Sequence, residues 1–301
     1  YKHFENTSYL VVIMLRLGLM MTVLTAIFVI LGYVIGLFLG SPELVSLGAL
    51  VLAGIMNLVS YLYSDKIVLS MSRAKVVSET EYPDLHRMVA SLATSAGLPK
   101  PRVAIIKSRA PNAFATGRGP KNSVVAVTTG LLEILNENEL EGVLSHEISH
   151  IKHRDILVAS VAATIAGAIS YLALVGRYSV FFGGGSDRNR NAGALTLLLS
   201  LLAPLAAFLI QMAISRGREY DADREGALLS RKPLSLASAL EKIERVARSG
   251  VPLNVNPSTS PLWIVNPFRG DALLEMFSTH PSTWKRIERL KAMAVSIGSM
   301  R

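Results

Sequence analysis

The stretch Leu140-Glu-Gly-Val-Leu-Ser-His-Glu-Ile-Ser-His-Ile-Lys-His-Arg-Asp155 carries His146, Glu147 and His150 in the pattern H-E-x-x-H. Val143, Leu144, Ile148 and Ile151 recur at helical spacing, and Asn138, Glu139 and Glu141 stand where a cap and first-turn acids belong, so 138–155 predicts a helix. On it, two imidazoles four residues apart share one face beside a carboxylate, which makes a metal site with its own base. A catalytic zinc takes three protein ligands and keeps a fourth position for water. His153 lies on the same stripe, but about 10.5 Å along the axis from His146, too far for both to reach one ion through bonds of about 2.0–2.1 Å. The chain has no cysteine, so the third ligand is expected to be a carboxylate from another element. Glu219 is the best candidate: Glu219-Tyr-Asp-Ala-Asp223 sets two carboxylates on one helical face, where one could bind metal while the other orients a ligand imidazole.

Outward from this helix the chain is apolar. Of 301 residues, 50% are hydrophobic and 18% charged, and four spans approach the length of a bilayer helix, at 17–39, 44–63, 156–176 and 193–214. The first is too long for a signal peptide and lacks a convincing cleavage site after it. Gly40-Ser-Pro-Glu43 joins the first two into a hairpin with no Lys or Arg at its tip, whereas Lys2, Arg16, Lys66, Arg73 and Lys75 flank it. The positive-inside rule then puts the tip outside and the flanks in the cytoplasm. Arg177, Arg188 and Arg190, between the third and fourth spans, run against that reading, but the cytoplasmic segments hold many more basic residues. The net charge of +9 suits a bilayer with anionic headgroups, and no nucleic-acid motif accompanies it, so no nucleic-acid partner is expected.

The other stretches read as soluble. A helix at 83–97, strands at 103–106 and 123–129, and a turn-rich 116–122 following 113–115 predict a small sheet with a hairpin. Short or amphipathic helices follow at 130–136, 235–248 and 282–295, and His86 reads as a surface residue. The chain thus divides into an N-terminal transmembrane hairpin, 1–63, and a first catalytic part with the sheet and the H-E-x-x-H helix, 64–155. A second transmembrane hairpin, 156–214, and a second catalytic part with the third ligand, 215–301, complete it.

H-E-x-x-H followed by E-x-x-x-D resembles the Glu-type zinc metalloproteases. With two spans before the motif and two between it and Glu219, and with Ser145-His-Glu-Ile-Ser-His-Ile151 and Arg218-Glu-Tyr-Asp-Ala-Asp223, the chain is similar to the HtpX-type membrane proteases of peptidase family M48. Pro111-Asn-Ala-Phe-Ala-Thr-Gly117 and Ser278-Thr-His-Pro-Ser-Thr-Trp-Lys-Arg-Ile-Glu-Arg-Leu290 extend the resemblance over nearly the whole chain. It implies a mixed membrane α-helical plus α+β fold, with four transmembrane helices and a gluzincin-like metallopeptidase domain carrying a small β-sheet. It implies one Zn2+ per chain on His146, His150 and Glu219, Glu147 as general base, and Asp223 orienting His146. Asn112 and Phe114 would lie on an edge strand that pairs with extended substrate, and His280 and Arg286 would stabilise the tetrahedral oxyanion. The implied activity is endopeptidase cleavage of unfolded or loop segments of misfolded or damaged membrane proteins, at the cytoplasmic face of a multi-pass plasma (cell inner) membrane protein. Taken alone, Asn112 also fits a turn beside Pro111, Asp223 a pair with Arg218 or Arg224, His280-Pro281 a helix boundary, and Arg286 a solvated face.

Two other functions compete. An intramembrane-cleaving zinc protease would hold H-E-x-x-H within lipid, but Glu139, Glu141, Lys152, Arg154 and Asp155 surround this one. A transporter would need polar or ionisable groups inside the spans, but residues such as Asn57, Ser160, Thr164 and Gln211 are few and mild and no span carries a central acid or base; a catalytically inactive membrane scaffold is the remaining alternative.

Overall fold

The structure, a computed structural model, describes residues 2–182, 216–249, 259, 262–265 and 281–298. The chain opens with two long helices, α1 (Lys2–Leu39) and α2 (Pro42–Met71), which turn back on each other at Gly40, whose φ of 76° a side chain would resist. Their apolar stretches Val11–Leu37 and Pro42–Met71 are long enough to cross a membrane, and large residues such as Leu15, Ile30, Leu44 and Ile55 point outward, exposed. The polar Asn57 bridges the two helices through its Nδ2, donating to Thr25 Oγ1 at 3.0 Å and Met21 O at 3.3 Å. It is a tie within the hairpin, as a span residue without a neighbouring charge should be.

The second span runs past the expected end at residue 63 to Met71. Its last turns meet the sheet: Asp65 pairs with Arg102 at 3.1 Å, and Val68 and Leu69 pack under the strands. The membrane hairpin is therefore seated directly on the soluble domain.

That sheet has four strands: β1 (Ala74–Val76), β2 (Arg102–Ile106), β3 (Ala113–Gly117) and β4 (Ser123–Thr128), in the order β1-β2-β4-β3. β2 and β4 are parallel; β1 on β2 and β3 on β4 are antiparallel. Strand β1 has no clear sequence signal, being three residues long with only one apolar face contact, and β3 extends through Thr116 and Gly117, which read as turn. Side chains alternate across the sheet. Val103, Ile105, Ala113, Ala115, Val125 and Val127 enter one apolar cluster, while Ala104, Ile106, Phe114, Val124 and Ala126 enter another with Val68 and Ala163. Both faces are thus covered, which explains the near-continuous apolar composition of β4. At the hairpin, a Cβ on Gly117 would stand 2.1 Å from Asn122 O, so only glycine fits.

Helices α3 (Pro83–Ser95), α4 (Thr129–Ile134) and α5 (Glu137–Lys152) pack on the first face. α5 is the H-E-x-x-H helix. Its cap is Asn136, not Asn138: Asn136 Oδ1 accepts from Glu139 N, and Glu139 Oε2 accepts from Asn136 N, both at 3.0 Å, a reciprocal box, while Glu141, three residues after Asn138, pairs with Lys232. Asn138 instead accepts from Lys232 Nζ at 2.8 Å. After α5 the chain turns at Arg154, with φ 60°, into α6 (Asp155–Phe182). α6 begins as the third span expects, and Leu157, Val158, Val161, Ile165 and Ile169 pack against Ile13, Leu17, Met20 and Leu24 of α1. The fourth span, 193–214, lies outside the described residues.

Three helices complete the described part of the domain, the polar α7 (Arg216–Ser230) and the amphipathic α8 (Pro233–Arg248) and α9 (Thr283–Gly298). α7 and α8 lie against α5, and glycines permit the close approach. A Cβ on Gly226 would stand 2.8 Å from His146 N, and one on Gly142 3.0 Å from Leu236 N. His86, expected at the surface, is buried, with Nε2 3.2 Å from Val77 O, because its face of α3 turns onto the loop after β1.

Candidate metal centre

His146 and His150 project from one face of α5, and Glu219, in the first turn of α7, meets them there. The two Nε2 atoms are 3.2 Å apart; Glu219 Oε2 is 3.9 Å from the first and Oε1 3.5 Å from the second. Ligands on a tetrahedral zinc with bonds of about 2.0–2.1 Å stand about 3.4 Å apart, so this triangle has the right size.

The tautomers make the same point. His146 Nδ1 lies 2.9 Å from Asp223 Oδ1, and His150 Nδ1 lies 3.4 Å from Asp155 Oδ2. A carboxylate beside each Nδ1 keeps the proton there, which turns both Nε2 lone pairs toward each other. Burial pushes the pKa of His146 down, against the opposing pull of Asp223, so the ring is neutral. Two converging lone pairs with a carboxylate beside them repel one another, and a divalent cation is what relieves that. The residues fit a zinc ion. Among the described residues His146, His150 and Glu219 form the one such metal-ligating group.

Around the donors is a buried charge network. Arg286, 1% exposed, donates from Nε to Asp223 Oδ2 and from Nη2 to Asp223 Oδ1, both at 2.7 Å, and from Nη1 to Ile264 O at 2.6 Å. Its Nη1 is also 3.6 Å from Glu219 Oε2. Burial raises the pKa of Asp223, but the Arg286 guanidinium and His146 outweigh it and hold the carboxyl below the usual range. Burial works against the charge of Arg286 too, yet Asp223, Glu219 and Glu147 keep it protonated. The guanidinium is engaged on Asp223, Ile264 and Glu219, and its Nη2 also lies 3.5 Å from His146 Nε2, on the metal-facing side of that ring.

Glu147, one residue along α5 from His146, is buried, and burial together with the Glu219 charge raises its pKa to about 8, against the lowering influence of His150, the Ala115 N–H and Arg286. The Ala115 contact exposes the logic of β3. Thr128 N donates to Asn112 O at 2.9 Å, so residues 112, 114 and 116 turn their backbone groups to β4, and 113, 115 and 117 turn theirs to the open edge. Ala115 N–H meets Glu147, and Gly117 N–H meets Ser160 Oγ of α6 at 3.2 Å.

Peptidase family M48 matches residues 79–294 of the sequence. The chain belongs to peptidase family M48. It is 52% identical over 288 residues to a Protease HtpX homolog of Thermococcus sibiricus, covering 94% of this chain and 97% of that one. To a Protease HtpX homolog of Paraburkholderia phytofirmans it is 48% identical over 283 residues, covering 93% and 96%. The crystal structure of S. mikatae Ste24p matches at a TM-score of 0.48 and 18% identity, covering 94% of this chain and 67% of that one.

In this M48 peptidase the structure brings His146, Glu147, His150, Glu219, Asp223 and Arg286 together, and leaves His153 out, 2.7 Å from Glu225 through its Nε2. His280 lies outside the described residues. Asn112 and Phe114 flank the edge without presenting it: Phe114 is buried in the cluster under α2 and α6, and Asn112 Oδ1 accepts from Ile264 N at 3.1 Å. The alternation of a strand assigns the open groups to Ala113 and Ala115 instead. Asp155 stands in the sequence at the end of the predicted helix, where the third apolar span begins. It pairs with both His150 and Arg218, and it does so because the left-handed Arg154 returns the chain toward α5.

Proposed function

We propose that this M48 metallopeptidase is a zinc endopeptidase that cleaves unfolded or loop segments of misfolded or damaged membrane proteins at the cytoplasmic membrane face. The observation that carries the reading is the pair of lone pairs on His146 and His150, converging with Glu219 beside a buried Glu147. Held by His146, His150 and Glu219, zinc supplies a water acidified to a pKa of about 7 and a Lewis acid for the carbonyl.

The rest is the work of this chain's side chains and backbone. Glu147, buried beside the donors, accepts a proton from water and returns it to the leaving amine. Asp223 and Asp155 hold the two imidazoles by their Nδ1 atoms, and Arg286 holds Asp223 and Glu219 in place. An extended substrate pairs with the outward groups of Ala113 and the outward carbonyl of Ala115, whose N–H meets Glu147, a mode that admits unfolded segments and excludes folded domains.

The two apolar helices, α6 leading straight out of the catalytic helix, and the fourth apolar span in the sequence support a reading of four crossings, and the basic flanks of the first hairpin favour a cytoplasmic catalytic domain. Lys66, Arg73 and Lys75, at the foot of α2, would lie at anionic headgroups. Against intramembrane cleavage, α5 packs among α7, α8 and the sheet, and the charged Lys152, Glu225, Lys232 and Glu141 pair around it.

Purified protein in detergent, assayed on casein with zinc, tests this. Glu147→Gln should keep stoichiometric zinc by elemental analysis and lose about 10²–10⁴ of the rate. A Glu147→Gln variant that hydrolyses at the wild-type rate sinks the mechanism.

A further inference from the structure

Ile264 is held at both of its backbone polar groups by residues of the site. Its N–H donates to Asn112 Oδ1 at 3.1 Å, and its carbonyl accepts from Arg286 Nη1 at 2.6 Å. The same Nη1 is 3.6 Å from Glu219 Oε2, so one guanidinium separates the Ile264 carbonyl from a metal donor. Leu262, Trp263, Ile264 and Val265 are all buried. Leu262 belongs to the apolar cluster of Phe114 and Ala163 on the α6 face of the sheet, whereas Ile264 and Val265 belong to the cluster of Ile148 on the α5 face. A segment whose side chains enter both faces must pass around the border of the sheet, and the bond to Asn112 places that passage at the start of β3, the border strand.

We propose that Leu262–Val265 is an intramolecular occupant of the substrate groove, a strap that has to lift before an extended peptide can pair along β3. This rests on β3 being the substrate edge, as in the function proposed above. The strap is gripped through the backbone N–H and C=O of Ile264, by the Asn112 side-chain oxygen and the Arg286 guanidinium, with its apolar side chains buried on either side. While it is seated, the competent fraction of the enzyme is reduced, and the apparent affinity for substrate falls by that fraction. Activity is thus set by how readily an apolar, extended chain displaces Ile264.

Ile264→Pro removes the N–H that Asn112 holds and leaves every site residue in place. For an extended fluorogenic peptide, its KM should fall about fivefold, the population shift expected from one lost hydrogen bond, with kcat within about twofold of wild type. Two measurements on chains with an intact strap stand beside it, in case the proline variant does not fold. An acetylated, amidated peptide of residues 260–267 should inhibit the zinc-loaded wild type competitively. Fluorogenic peptide bound to zinc-loaded Glu147→Gln should speed amide hydrogen exchange at 262–265. A KM that is unchanged or higher in folded Ile264→Pro, or strap amides that stay protected while peptide is bound, would show a fixed wall and overturn the proposal. If Glu147→Gln hydrolyses the peptide as fast as wild type, it is the proposed function that fails, and the exchange of 262–265 still reports on the strap.

Discussion

Each imidazole of the site is oriented by its own carboxylate, and the two carboxylates are secured differently. Asp223 is locked by the bidentate Arg286, while Asp155 relies on Arg218 and on the turn at Arg154. Asp155→Asn should therefore weaken zinc binding about 10–100-fold, as measured by competition with a chromophoric chelator, with helix content unchanged by circular dichroism. Glu225 carries a separate, pH-dependent contribution. The His153 hydrogen bond, with Lys152 beside it and against the opposing effect of burial, lowers its pKa to about 2. The folded value lies below the ordinary carboxylate value, so the stabilisation is fully present above about pH 4.5 and is lost as pH falls toward 2. Midpoints of thermal unfolding recorded between pH 6 and pH 3 should fall less steeply for Glu225→Gln than for wild type; parallel slopes would refute the linkage.

Between elements, the site depends on how closely α7 lies on α5. Gly226 is the point of contact, with room for hydrogen only, since a Cβ would press on the His146 backbone at 2.8 Å. Gly226→Ala should push α7 outward and carry Glu219 away from the imidazoles, lowering kcat/KM by at least about tenfold while kcat falls with zinc occupancy. The check is the zinc content of the purified variant together with its casein rate; full zinc and full rate would show that α7 is not seated by this contact. At its other end α5 is pinned by Glu139, which closes the capping box and accepts from Lys242 Nζ and Ser238 Oγ of α8, both at 2.7 Å. The catalytic helix is thereby clamped along its length, from its cap to the turn before α6.

Over the whole molecule, the ligands come from α5 and α7, which flank α6 and the stretch leading out of it. Metal that joins the two helices should stabilise the folded chain in proportion to free zinc. At about 100 times Kd this amounts to about 2.7 kcal/mol, a rise of a few degrees in Tm. Fluorescence-detected unfolding in detergent, with zinc or with chelator, should show this shift in wild type and not in Glu219→Gln. The catalytic helix and the first apolar helix after it are separated only by His153 and Arg154, so the chemistry sits at the foot of the membrane helices.

What could be read from residue order alone follows from local periodicity. The spacing of His146 and His150 on a 3.6-residue helix, the apolar length of the spans, and Glu219 with Asp223 at i and i+4 are all properties of single elements, and the structure holds all three of these donors together. What depended on packing between elements could not be read that way. Asn136 is the cap because Glu139 can reach back to it, and Asp155 orients His150 because one left-handed residue reverses the chain. Arg286 points at Asp223 instead of open space because α9 docks where a buried carboxylate needs a counter-charge. Ala113 and Ala115, rather than Asn112 and Phe114, present the open edge because pairing with β4 sets the parity of β3. Sequence determined the donors and the two long apolar helices, since a helix repeats its own geometry; only tertiary structure decided what holds the donors, since partners far apart in the chain meet through packing.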